Sequence, residues 1–214
     1  PNEDTMTVRM TESLFVGGDL QYTGSLLPAL TRSSLEQESL ALYPIPWTAW
    51  RVWDAYHTNL PGTSAADDLA LVGGTFGSGA PSIQTSDQKN NGSPASQYAR
   101  AVIPLPAEYD DAADVVLRFN AGALTTVASV AMTLDVEVHE LDNDATSSSD
   151  ICTQAALSIN NLTLAEKDFA LTTTSLISGD CLDVRLHISI HDSGTGTVVK
   201  GLVGNAYLAC DIKG

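Results

Sequence analysis

Two stretches, Val130-Ala-Met-Thr-Leu-Asp-Val-Glu-Val-His-Glu-Leu141 and Leu182-Asp-Val-Arg-Leu-His-Ile-Ser-Ile190, alternate apolar and polar residues almost without error. In the first, Val130, Met132, Leu134, Val136 and Val138 share one face, while Thr133, Asp135, Glu137 and His139 share the other. In the second, Leu182, Val184, Leu186, Ile188 and Ile190 stand opposite Asp183, Arg185, His187, Ser189 and His191. A period of two marks a strand with one buried and one solvated face. That pattern belongs to antiparallel sheets, because parallel sheets are covered on both sides and read as continuous apolar runs.

Working outward, the same signals recur at short intervals. Strands are expected around Trp50 and Val52, from Leu69 to Phe76, from Gln97 to Leu105, around Val115 to Phe119, from Phe169 to Leu176 and from Val198 to Ile212. The segment Gly77 to Pro94 is crowded with turn-forming residues and reads as a long loop around one short strand. Thr163-Leu-Ala-Glu166 has the form of a capping box and predicts one helical turn. About eight short strands at this spacing predict an all-β, antiparallel, jelly-roll-like β-sandwich over residues 46–214. Residues 1–45 differ: a short strand at Thr5 to Met10, a break at Gly17-Gly18, and a capping box at Ser33 and Glu36 predict an extended N-terminal arm, with edge strands and connections of the main domain as the alternative. Tyr43-Pro-Ile-Pro46 forbids helix, because each proline forces its predecessor into an extended conformation.

The totals exclude several functions. The 214 residues carry ten basic against 26 acidic side chains, a formal net charge of −16. That balance argues against nucleic acid, whose recognition rests on lysine and arginine at phosphates, and against anionic membranes. No apolar stretch is long enough for a membrane helix, and no signal peptide is visible at the start. Cys152, Cys181 and Cys210 are widely spaced and odd in number, which predicts buried free thiols in a reducing compartment, with a disulfide as the rival reading.

Chemistry is sparse. There is no GxSxG elbow for a serine nucleophile. Of the four histidines, His57, His139, His187 and His191, the last three lie on the polar sides of alternating strands. If the strands carrying His139 and His187 are neighbours, His139, Asp135, His187 and Asp183 cluster on one face. Such a cluster could hold a metal or support acid–base work, although a solvated outer face carries the same residues for no purpose. Asp142, Asp144, Thr146, Ser148 and Asp150 imitate the spacing of a calcium loop, but Ser147 replaces its glycine and Thr153 its glutamate. A solvated hairpin loop is the expectation. Glu108, Asp110 and Asp111 are carboxylates without an aromatic platform beside them, and an aromatic content of 6% weakens a carbohydrate-binding reading. Trp47, Trp50 and Trp53 recur every third residue and are expected to anchor the core, with ligand stacking as the alternative. The sequons at Asn91-Gly-Ser93 and Asn161-Leu-Thr163 are expected to be chance matches. The chain is therefore expected to have no catalytic residues, no cofactor and no metal.

The stretches Tyr98-Ala-Arg-Ala-Val-Ile-Pro-Leu-Pro-Ala-Glu-Tyr109, Val115-Val-Leu-Arg-Phe-Asn-Ala-Gly122, Leu134-Asp-Val-Glu-Val138, Ser158-Ile-Asn-Asn-Leu-Thr163, Lys167-Asp-Phe169, Gly179-Asp-Cys-Leu-Asp-Val-Arg185 and Cys210-Asp-Ile-Lys-Gly214 resemble a group of phage and prophage virion structural proteins. The resemblance spans roughly residues 43–214 and consists of strand and turn patterns, with no active-site residue to carry over. It implies a virion component: an outer capsid decoration or cement protein, made in the host cytoplasm and bridging capsomers on the head. The expected partners are the major capsid protein and further copies of itself, a trimer at three-fold junctions. An acidic surface suits the outside of a DNA-filled shell, and arms can add strands to neighbours. The alternative expectation is a tail- or fibre-associated β-sandwich module that recognises a host or carbohydrate surface.

Overall fold

The computed structural model describes residues 40–127, 131–141 and 146–213. The strands, in chain order, are β1 (Ala41–Ile45), β2 (Ala70–Val72), β3 (Ser82–Gln84), β4 (Ala95–Pro104), β5 (Val115–Ala123), β6 (Ala131–Leu141), β7 (Leu157–Ser158), β8 (Ala165–Ala170), β9 (Cys181–His191) and β10 (Gly201–Cys210). Every pairing between them is antiparallel. One sheet has the order β2-β3-β10-β5-β8, with β1 also on β10, and the other has the order β4-β9-β6-β7. From β3 onward the chain changes sheets at each connection except β6 to β7. The result is the expected all-β, jelly-roll-like sandwich. Its first strand comes from the Tyr43-Pro-Ile-Pro46 stretch, so the sheet begins five residues before the expected boundary at residue 46. The strand and helix expected within residues 5–42 lie almost wholly outside the described residues, as does Val130.

β6 and β9 carry the two diagnostic patterns, and they pair along their full length from Ala131↔His191 to Leu141↔Cys181. Their alternating apolar residues point inward: Met132, Leu134, Val138, Leu182, Val184, Leu186, Ile188 and Ile190 have no exposure, and Val136 has 3%. Burying each such side chain contributes roughly 1.5–3 kcal/mol. Across the core they meet Leu117 and Phe119 of β5, Phe169 of β8, and Val203 and Leu208 of β10. Trp50 packs against Phe119 with ring centroids 6.0 Å apart, and Phe119 meets Phe169 edge-on at 5.9 Å. The sheets approach so closely at Gly201 that a Cβ there would sit 2.8 Å from Ile188 Cγ2.

Tertiary pairing overrides the capping-box signal at Thr163. No helix forms; β8 runs through Ala165 to Ala170 and stops where a strand was expected to be under way. Its partner β5 supplies a six-residue ladder, Ala121↔Ala165 to Val116↔Ala170, and one helical turn offers too few bonds to compete. Leu69 to Phe76 is likewise shorter than expected, with strand only at Ala70–Val72. Gly74, at φ 68°, then folds the chain back so tightly that a Cβ would lie 2.4 Å from the Gly79 carbonyl oxygen.

Both edges of the four-stranded sheet are covered. Along β4, Arg51 exchanges backbone hydrogen bonds with Arg100, Tyr98 donates to Asp67 and Leu69 donates to Tyr98. Beside β6, where β7 ends, Ile151 donates to the Val138 carbonyl, Val138 N–H to Asp150 Oδ1 and Glu140 N–H to Ser148 Oγ. These bonds occupy backbone groups along β4 and β6 that would otherwise be open to a stray strand. A bulge in β10 between Val203 and Ala206 frees the Gly204 carbonyl, and the Trp47 indole donates to it at 2.9 Å.

Candidate functional site

The register of β4, β9 and β6 stacks three rows of side chains on the outer face of the four-stranded sheet. The rows are Tyr98, His187 and Asp135; Arg100, Arg185 and Glu137; and Val102, Asp183 and His139. The conditional cluster therefore exists: the strands of His139 and His187 are neighbours, with Asp135 opposite His187 and Asp183 opposite His139. What it forms is an ion-pair network. Arg100 grips Asp183 with two bonds, Nε to Oδ1 at 2.7 Å and Nη2 to Oδ2. Arg185 donates through Nη2 to Glu137 Oε2, whose other oxygen lies 3.0 Å from His139 Nε2. Among the described residues no group of three or more such side chains has the arrangement of a metal site.

Beside the charges lies an aromatic surface. Tyr98 stacks on His187 with centroids 4.7 Å apart and planes 17° from parallel. Trp53 reaches over from the segment after the core residue Val52 and tilts against Tyr98 at 5.2 Å. Its indole N–H donates to Asp67 Oδ2 at 3.0 Å, which fixes the ring. The Arg185 guanidinium lies 5.7 Å from the Trp53 ring centre and 5.4 Å from that of Tyr98, while Arg100 lies 5.2 Å from that of Tyr56. The Tyr56 hydroxyl accepts from Val102 N–H, and the ring stays exposed. Together Trp53, Asp54, Arg100, Glu137, His139, Asp183 and Arg185 line an open cleft of about 290 Å³.

The two histidines are pushed in opposite directions. Burial opposes charge on His139, but Glu137, the Ser148 carbonyl and Asp150 together outweigh it and raise the ring above its ordinary value. Burial lowers His187, against the pull of Asp135 and with the help of Arg185. At neutral pH the imidazole of His187 is thus an uncharged ring stacked behind Tyr98.

Part of this site was legible early. His139, His187, Asp135 and Asp183 stand together as the alternation allowed. Trp53 departs from expectation: Trp50 is buried in the core and Trp47 half-buried, but Trp53 lies on the outer face. Tyr56, Tyr98 and Arg100 are further site residues that no motif in the sequence marks. For Tyr98 and Arg100 the signal was present, because β4 alternates Gln97, Ala99, Ala101 and Ile103 inward with Tyr98, Arg100 and Val102 outward. The inward Gln97 is satisfied: it accepts from Ser86 N–H at 2.7 Å and donates to the Ala66 carbonyl at 2.8 Å.

The other candidates are structural. Ser148 and Asp150 spend their oxygens on the backbone of β6, and Asp150 also accepts from Cys152 N–H. Asp142 and Asp144 lie outside the described residues. Glu108, Asp110 and Asp111 are exposed, and Asp111 accepts from Ser178 N–H. The Asn91 amide is engaged in the fold, donating to the Ile190 carbonyl and accepting from Asp192 N–H, each at 2.8 Å. Asp192 is buried and accepts from Asn90 N–H and from Thr195 N–H and hydroxyl, which lowers its pKa. All three cysteines are free thiols, and burial pushes Cys210 up to about 11. A second cleft of about 350 Å³, between Tyr43–Pro46 and Val102–Pro106, is walled mainly by proline and aliphatic carbon.

No protein-family model matches the chain, and no curated protein does. Among solved structures it is similar to the CBM22-1 xylan-binding domain of Xyn10C from Paenibacillus barcinonensis, with 12% identity, a TM-score of 0.42, and 84% of this chain and 99% of that one covered. It is similar to the enzymatically active domain of tailspike protein 4 from bacteriophage CBA120, at 11% identity and a TM-score of 0.39, covering 78% and 20%. The K3 cleaved adhesin domain of Lys-gingipain from Porphyromonas gingivalis follows at 13% and 0.37, covering 77% and 92%. Overlaps this loose decide nothing about function; the fold rests on the two sheets themselves.

Proposed function

We propose that this chain is a binding module whose outer four-stranded face takes a carbohydrate. The observation that carries the reading is the pairing of an aromatic surface with a fixed polar network on the same face. A sugar ring presents patches of C–H that pack on aromatic rings, and hydroxyls that each need donors and acceptors at set positions. Trp53 and Tyr98 supply the first, tied down by Asp67 and His187. Arg100, Arg185, Glu137 and Asp183 supply the second, held by one another rather than by long flexible searches. Conformational freedom given up before binding is not lost again on binding, which favours affinity. The test is affinity electrophoresis through gels containing soluble polysaccharides. Retardation by at least one polysaccharide that disappears in Trp53→Ala and Tyr98→Ala supports the reading. Unretarded migration throughout overturns it.

A virion role is a second reading, supported by the strand-motif resemblance and by the net charge of −16, which suits an exterior surface. A glycan-binding face is compatible with that placement, on a head or on a tail. Locating the chain in intact particles by immunogold labelling separates the two positions, and its absence from particles rejects both.

A further inference from the structure

We infer that the cleft on the outer sheet face selects neutral glycans and excludes acidic ones, because its two arginines are already committed to protein carboxylates. The inference rests on the carbohydrate-binding reading and sharpens it to a ligand class. Arginine beside an aromatic ring is a common receptor for a sugar carboxylate or sulfate, so the charge pattern decides between opposite expectations.

The commitments are geometric. Arg100 offers its fork to Asp183, whose side chain is only 14% exposed. A ligand carboxylate taking that fork would strand Asp183 half out of water without its partner, a costly exchange. Arg185 is held by Glu137 at one end, and its flat face lies against Trp53 and Tyr98. Glu137 in turn holds His139. A sugar hydroxyl needs no such exchange. It can accept from a guanidinium N–H and donate to a carboxylate lone pair while every pair stays intact, since a guanidinium carries five donors and a carboxylate about four acceptor sites.

The net field points the same way. The cleft walls carry Asp54, Glu137 and Asp183 against Arg100 and Arg185, one net negative charge with His139 neutral and no net positive charge even with it protonated. Asp67 and Asp135 stand just behind Trp53 and His187. The whole chain adds a formal charge of −16. An anionic glycan is therefore repelled on approach and meets no guanidinium without a carboxylate partner among the described residues of the cleft.

The experiment uses the full chain in affinity electrophoresis, with hydroxyethylcellulose, glucomannan and arabinoxylan as neutral probes and polygalacturonate, alginate and hyaluronan as acidic ones. The expected result is retardation by at least one neutral polymer, with every acidic polymer at least about tenfold weaker. The double variant Glu137→Gln/Asp183→Asn releases both guanidiniums, so binding to an acidic polymer should rise at least about tenfold while neutral binding weakens. Higher salt should leave the wild-type preference for the neutral polymer in place. Acidic polymers that bind the wild type as well as neutral ones do overturn the inference and leave the glycan reading standing. A double variant that is folded by circular dichroism and gains nothing for acidic polymers overturns the argument from committed arginines. Retardation by neither class overturns both.

Discussion

The two faces of β9 are made by one run of eleven residues and obey different physics. Inward, Leu182, Val184, Leu186, Ile188 and Ile190 are wholly buried in the single apolar core that both sheets share. Outward, Asp183, Arg185 and His187 keep between 14% and 39% of their side chains exposed and are held by partners on β4 and β6: Asp183 by Arg100, Arg185 by Glu137, and His187 by Asp135 and by stacking on Tyr98. Exposed ion pairs contribute little to folding, about 0–1 kcal/mol each, so the outer network is not what keeps the sandwich together. Stability is concentrated on one side of the strand, leaving the other free to be shaped for a ligand.

Mutations that separate the faces test that division. Leu186→Ala removes a core side chain from the most densely paired part of the sheet, and urea unfolding should show a loss of about 2–5 kcal/mol. A loss below about 1 kcal/mol would mean that the inner face is looser than its burial implies. Gly201→Val presses on the same core from β10, where even a Cβ meets Ile188 at 2.8 Å, and should cost about 1–3 kcal/mol by overpacking. Trp53→Ala and Tyr98→Ala change the outer face only. Each should alter unfolding free energy by under about 1 kcal/mol while weakening glycan binding at least about tenfold. A stability loss as large as that of Leu186→Ala would erase the distinction between the faces.

The smallest expected effect is on pH dependence. His139 is raised in the folded state, so its contribution is present below the unfolded value of ~6.5 and is lost as pH climbs through the folded value. His187 is lowered, so its contribution is present above ~6.5 and is lost as pH falls through the folded value. The two oppose each other on acidification. His187→Gln should therefore flatten the acid-side decline seen in thermal melts between about pH 8 and about pH 5, and His139→Gln should steepen it. Identical profiles for both variants would show that neither ring feels the outer network. Asp192 is lowered by the backbone donors around it, so its contribution is intact across this window and is lost only as pH falls below its ordinary value of 3.8.

Local alternation determined the sandwich. Because side chains point to opposite faces at every second residue, the patterns in β6 and β9 stated which residues are buried before any partner strand was known. The same rule placed Asp135, His139, Asp183 and His187 on an outer face. It could not state that β6 lies beside β9 in a register that sets Asp135 opposite His187, since pairing is decided by all the strands competing at once. Nor could it place β8, where a ladder to β5 displaced a helical signal. Trp53 shows the limit most plainly. Its spacing from Trp47 and Trp50 suggested a core anchor, yet it packs on Tyr98, 45 positions away, on the solvent side. The sequence by itself determined the faces of the strands, a matter of neighbours one and two residues apart. Only the tertiary structure decided the site, because the contacts that assemble it join residues from β4, β6, β9 and a loop that no local period connects.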